Sequence, residues 1–389
     1  MKVTWKSITP IFASIVISPW NLLVGGLLSQ HLPASSTILT LLIGYGILSI
    51  IFILYGGIGY VKRKQSAEIL SRIFPIKFVM FVLPAILAIG QIGWAAINFD
   101  LGGKSLAILL SLPSLFGICI YAVLLIGIAM LRINQIGLVK WIVVTSSILL
   151  MIYICLAKVL SPQSYNFLTY QPVEIYSLFW GISVVVASLI SFATISPDFF
   201  KDVKTKTDVI YSTFLGITLP GILVAFLGAF LFFNHPLLEL PLVLGSFSFS
   251  FFPQIFNTIT NTDGAIAVYT PGLKLQYMFG WNKKISIIVA GSISTLVALF
   301  GLASHLDIWL KVISIIFPAL IGITFPALLF QHIAKKKIYN KNIIISFFGS
   351  LLLAISCVAF FPPVIISLLA PLIIFSLSLS YINLSVITL

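Results

Sequence analysis

From Ser7 to Val61 the chain runs for 55 residues without a Lys, Arg, Asp or Glu. Apolar runs of this kind recur to the C-terminus, separated by short clusters of lysine. A helix needs about 20 apolar residues to cross a bilayer, and backbone groups inside lipid must find partners within the chain. The pattern predicts an all-α polytopic membrane protein. Helices are expected over residues 8–28, 36–60, 74–98, 106–130, 138–158, 175–197, 209–233, 241–268, 284–303, 309–332, 342–359 and 364–385. The last pair divides an uncharged run of 48 residues, Asn342 to Leu389, at Pro362-Pro363, where proline offers the turn.

The lysines test that count. Cytoplasmic segments of membrane proteins carry an excess of Lys and Arg. With the N-terminus in the cytoplasm, the inner segments hold 19 of 22 basic residues, among them Lys62 to Lys64, Lys140, Lys201, Lys274 and Lys335 to Lys337. Only Lys104, Lys158 and Lys311 fall at outer ends. Removing one helix midway would scramble this alternation. Twelve helices with both termini cytoplasmic, in the cell membrane, is the expected topology. His31, His235 and His305 fall at outer ends, as solvated loop residues or as protonation sensors.

Composition narrows the function classes. The chain is 60% hydrophobic and 8% charged, against about 25% charged in soluble proteins. Its formal charge of +13 lies in short clusters at helix ends rather than in one continuous patch, so no nucleic-acid partner is expected. Cys119, Cys155 and Cys357 are scattered through apolar segments and form neither a disulfide framework nor a metal cluster. Four dispersed histidines with no HExxH and no Cys–His pair give no basis for an enzyme.

Two spans carry interruptions. The first reads Ser18-Pro19-Trp20-Asn21 halfway through the membrane, and proline removes a helix hydrogen bond. The sixth, from Ser188 to Pro197, is dense in hydroxyls. Breaks at matching places in two five-helix halves point to a transporter site at the midplane; the other reading is a pair of kinks tolerated by neighbouring helices. Polar residues at membrane depth add to the picture. Gln91, Trp94 and Asn98 share one helical face, as do Asn257, Thr260 and Asn261, with Asp263 just beyond. An indole face and amide edges suit a flat heterocycle, while amides also serve as interhelical glue.

Gly90 to Trp94, Ser188 to Phe199 and Asn257 to Ala265 resemble three signatures of the cytosine permeases. These belong to the nucleobase–cation symporter family, which also covers purine, uracil, hydantoin, allantoin and thiamine transporters. The similarity is collinear over about 330 residues. It implies a LeuT-like fold of two inverted five-helix repeats, with discontinuous helices one and six, plus two C-terminal helices. The corresponding segments are 1–160, 161–334 and 335–389. It further implies that Trp94 stacks on the base, that Gln91 and Asn257 read its edge, and that Ser188 lines the pocket. A coupling sodium is implied between Ser14 and Ile17 on one side and Asn257, Thr260 and Asn261 on the other.

Two positions depart from the family pattern. The second aromatic wall is Leu189 here, with Phe192 less than one turn away, and an expected hydroxyl is Asn261. The coupling ion therefore stays open between sodium and a proton, and Asp263 is either a proton carrier or a structural acceptor. The function implied is cation-coupled import of a planar heterocycle by alternating access, with no organic cofactor and a monomeric protein in lipid. The alternatives are a transporter of an amino acid or other small organic solute, or a non-transporting membrane sensor.

Overall fold

The first span breaks where its proline stands. In the computed structural model, which describes residues 3–73, 77–159, 167–233 and 251–334, α1 (Trp5–Val16) and α2 (Pro19–His31) meet at an angle of 49°. Pro19 opens the second half-helix, where its missing N–H costs nothing. Asn21 holds the break together. Its side-chain nitrogen donates to the carbonyls of Val16 at 3.0 Å and Gly221 at 3.2 Å, and its oxygen accepts from the Tyr45 hydroxyl at 2.6 Å.

The chain continues through α3 (Ala34–Lys62), α4 (Ser66–Ile73), α5 (Lys77–Leu110), α6 (Ser114–Ala129) and α7 (Ile133–Val159). The helix expected to end near residue 98 runs on to Leu110, and within it the Asp100 carboxylate meets the Lys104 ammonium one turn on, at 2.8 Å. It stops at Ser111, whose φ of 54° is left-handed, ahead of Pro113.

The sixth span corrects an expectation. Rather than breaking mid-membrane, α8 runs unbroken from Leu178 to Ile195, and only Ser196 separates it from the short α9 (Pro197–Phe200). Two of its hydroxyls turn back onto their own helix: Ser188 donates to Val185 O at 2.6 Å and Thr194 to Ser191 O at 2.7 Å. That satisfies them without opening the ladder.

Next come α10 (Lys206–Thr213), a π-helical turn at Phe214–Thr218 and α11 (Leu219–Phe232). The π turn lies just before Pro220, which cannot donate to the regular ladder. After the undescribed stretch, α12 (Phe251–Thr260) tightens into a 3-10 turn at Asn261–Asp263 and resumes as α13 (Gly264–Phe279). Then follow α14 (Lys283–Leu299), a 3-10 turn at Leu302–His305 and α15 (Leu306–Ala334). Among the described residues, four helical stretches, Ala34–Lys62, Phe81–Leu110, Leu178–Phe200 and Lys206–Phe232, are long and apolar enough to cross a membrane, and the bent first pair makes a fifth. This is a multi-pass membrane protein. The spans expected over 342–359 and 364–385, and the first part of 241–268, lie outside the described residues.

The half-helix α2 packs along α11 with almost no separation. A Cβ on Gly25 would fall 1.7 Å from Ala225 O, and one on Gly228 would fall 2.0 Å from Leu22 O. Small residues allow such close backbone approach inside a membrane. Gly228→Leu is expected to force the pair apart at a cost of about 1–3 kcal/mol or more, seen as a lowered midpoint of thermal unfolding in detergent.

The lysine-rich end is tied together. Asp198 of α9 accepts from Ser66 N at 2.8 Å, from Ser66 Oγ at 3.0 Å and from Lys274 Nζ at 2.5 Å. The segment after α9 anchors the chain start. Val3 N donates to Asp202 O and Lys204 N to Val3 O, each at 3.0 Å, and Trp5 N donates to Asp208 Oδ1 at 2.9 Å.

Candidate functional site

Three aromatic rings from three helices meet beside the break. Trp94 of α5 lies 4.9 Å from Trp20 of α2, centroid to centroid at 45°, and 6.3 Å from Phe192 of α8. The indole N–H of Trp94 donates to Ser191 Oγ at 3.0 Å, which fixes the ring plane. Gln91, one helical turn earlier, is fully buried with neither amide atom hydrogen-bonded. An unpaired buried amide costs about 1–3 kcal/mol per group. A water or a ligand has to supply the partner.

The glycines of this motif serve packing rather than recognition. A Cβ on Gly90 would sit 2.3 Å from the Phe317 ring and one on Gly93 would sit 2.2 Å from the Trp309 ring. Side chains of α15 thus fit against α5 and set the depth of Gln91 and Trp94.

Leu189 and Phe192 are buried, and Phe192 is the α8 ring that faces Trp94. Ser188 is buried and engaged with its own helix. Asn257 works between helices: its side-chain nitrogen donates to Leu101 O at 3.1 Å and Ser105 Oγ at 2.6 Å, while its oxygen accepts from Asn261 at 2.8 Å. Those bonds hold α12 against α5.

The residues expected around a sodium ion are all buried, at the end of α1 and toward the end of α12. Ser14 Oγ donates to Ile11 O at 2.8 Å, and Ile17 ends α1 with its N–H on Ala13 O. Thr260 Oγ1 donates to Phe256 O at 2.7 Å, and Asn261 Oδ1 is buried with no hydrogen-bond partner. That oxygen and the Thr260 hydroxyl are hard donors of the kind a small cation takes.

Two further groups come from the structure. Trp20 Nε1 and Asn98 Nδ2 each reach Asp263 Oδ2 at 3.5 Å, linking the aromatic cluster to the 3-10 turn. Lys140 of α7, read from sequence as an inner topology lysine, is fully buried and donates to Thr262 Oγ1 at 3.2 Å. A basic residue inside an otherwise apolar helix was the only signal available for it. For Trp20 the signal was an indole directly after a mid-membrane proline.

No protein-family profile matches the chain, and no characterised protein matches it by sequence. Solved structures do match. Mhp1, a nucleobase-cation-symport-1 family transporter, in a closed conformation with bromovinylhydantoin bound, superposes with a TM-score of 0.82 at 14% identity, over 99% of this chain and 94% of that one.

The chain has the fold of Mhp1.

The inward-facing conformation of Mhp1 gives a TM-score of 0.78 at 14% identity, covering 99% and 92% of the two chains. A Na+-coupled sialic acid symporter in a substrate-bound, outward-open state gives 0.70 at 13% identity, covering 97% and 89%. Agreement with Mhp1 is thus greater for its closed form than for its inward-facing form.

Proposed function

We propose that the chain is a secondary active symporter that imports a nucleobase or related planar heterocycle, such as cytosine, a purine, uracil, allantoin or hydantoin, by alternating access. The observation that carries this reading is the buried Gln91 amide, unpaired at both atoms, one turn from an indole held in place by Ser191. A heterocycle offers a face to the indole and an adjacent donor and acceptor to the amide. The Mhp1 fold, solved with a hydantoin bound, supports the same class.

Trp20 supplies the second aromatic wall that Leu189 lacks, with Phe192 closing the third side. At 4.9 Å the Trp20 and Trp94 rings are too close to hold a base between them, since two stacking contacts need about 7 Å. Substrate binding therefore displaces Trp20, and with it α2, at the break in the first span. A cation, sodium or proton, binds near Thr260, Asn261 and the end of α1 and favours the substrate-binding state, which is what couples the two fluxes. Asn257 positions α12 against α5. The proposed topology is twelve spans in a 5+5 inverted repeat, over 1–160 and 161–334, followed by two helices in 335–389, with both termini cytoplasmic and a monomer as the working unit. No step forms or breaks a covalent bond.

The test is uptake of radiolabelled cytosine, uracil, adenine, hypoxanthine, allantoin and hydantoin into proteoliposomes under separate sodium and proton gradients. One compound accumulated under one gradient names both substrate and ion. Gln91→Leu should weaken that compound by about 10- to 100-fold. Flat traces from folded protein across the panel would move the reading to another organic solute or to a sensor.

A further inference from the structure

A second cavity opens at the end of the bundle opposite the lysine clusters. It has a volume of about 530 Å³ and lies between α2, α8 and α15, within the range of small-molecule sites. Its rim is aromatic: the His31 and Tyr176 rings stack at 4.2 Å with planes 1° apart, and Trp180 meets Tyr176 edge-on at 4.9 Å. Tyr176 N donates to His31 O at 3.0 Å, so the segment before α8 is fastened to the end of α2. The cavity deepens along α8, from Tyr176 at 40% exposure to Ser183 at 4%.

Two buried polar atoms at this cavity have no hydrogen-bond partner, His31 Nδ1 and Ser183 Oγ. Lys311 adds a positive charge to the wall. Aromatic faces with a few convergent polar groups make a ligand site rather than a packing fault. Ser183, Ala187 and Ser191 follow one another at i, i+4 and i+8, so they share a face of α8. Ser191 is the residue that holds the Trp94 indole. The cavity and the central aromatic cluster therefore lie along one helix face, about 12 Å apart at 1.5 Å per residue.

We propose that this cavity is an outer binding site for the same class of planar heterocycle, occupied before the molecule passes down α8 to Trp94. It rests on the transport reading for the identity of its ligand. The heterocycle stacks on one of the Tyr176 and Trp180 rings and meets the other edge-on, because the two rings stand at 83° to each other. Ser183 and His31 take its donors and acceptors, and Lys311 selects compounds with an electronegative carbonyl or anionic edge.

Binding to the detergent-purified full chain, measured by calorimetry and by quenching of tryptophan fluorescence, tests this. The probes are cytosine, uracil, hypoxanthine, hydantoin and bromovinylhydantoin. Two binding events are expected for at least one probe. Trp94→Ala should remove one of them. Tyr176→Ala and Ser183→Ala, the latter removing only a hydroxyl, should each weaken the other by about tenfold. A single event that Trp94→Ala abolishes overturns the outer site and leaves the central one standing. A single event sensitive only to Tyr176 and Ser183 supports the outer site and overturns the central assignment. No binding of any probe overturns both.

Discussion

Trp94→Ala is expected to lower heterocycle uptake by about 10- to 100-fold, the worth of one base stacked on an aromatic ring. The effect should fall on binding and transport together, because the ring is fixed in place before the substrate arrives: its N–H is on Ser191 at 3.0 Å. Ser191→Ala is the matched control, since it frees the ring without removing it and should cost no more than about tenfold. Competition binding and proteoliposome uptake measure both variants. Equal affinities for wild type and Trp94→Ala would place the substrate away from this cluster.

The second large effect is on stability. Lys274 and Asp198 are both fully shielded, 2.5 Å apart. Removing one charge strands the other, which costs about 3–5 kcal/mol. Lys274→Met should lower the thermal midpoint sharply. Lys274→Met combined with Asp198→Asn should recover most of the loss, because the pair couples and the two changes are not additive. The Asp198 carboxylate also accepts from Ser66 N and Oγ, so the network fastens α4 and α9 to α13. Additive losses in the double variant would mean that water already screens this end.

Much of the molecule was legible in local sequence. The long uncharged runs gave an all-helical, multi-pass membrane protein, since each such run must find its backbone partners internally in lipid. Pro19 gave the break in the first span, because a missing N–H and a ring clash act within one turn. Gln91, Trp94 and Asn98 were readable as one face from helical periodicity alone. Hydroxyl density in the sixth span misled, because a serine or threonine that bonds its own helix looks the same in sequence as one at a break. At α5, Lys104 was placed at an outer end between two spans, although it sits within one helix, one turn from Asp100.

What only the tertiary structure decided is which distant groups share a space. Trp20 and Asp263 meet across 243 positions, Lys274 and Ser66 across 208, and Asn257 and Ser105 across 152. Sequence pattern fixes how a side chain projects from its own helix. Whether an amide recognises a ligand or ties two helices, and whether a lysine is solvated or buried, depends on the neighbour brought to it by packing. Gln91 and Asn257 are alike in chemistry and in burial. One has a partner from another helix and the other has none, and that difference exists only in the folded bundle.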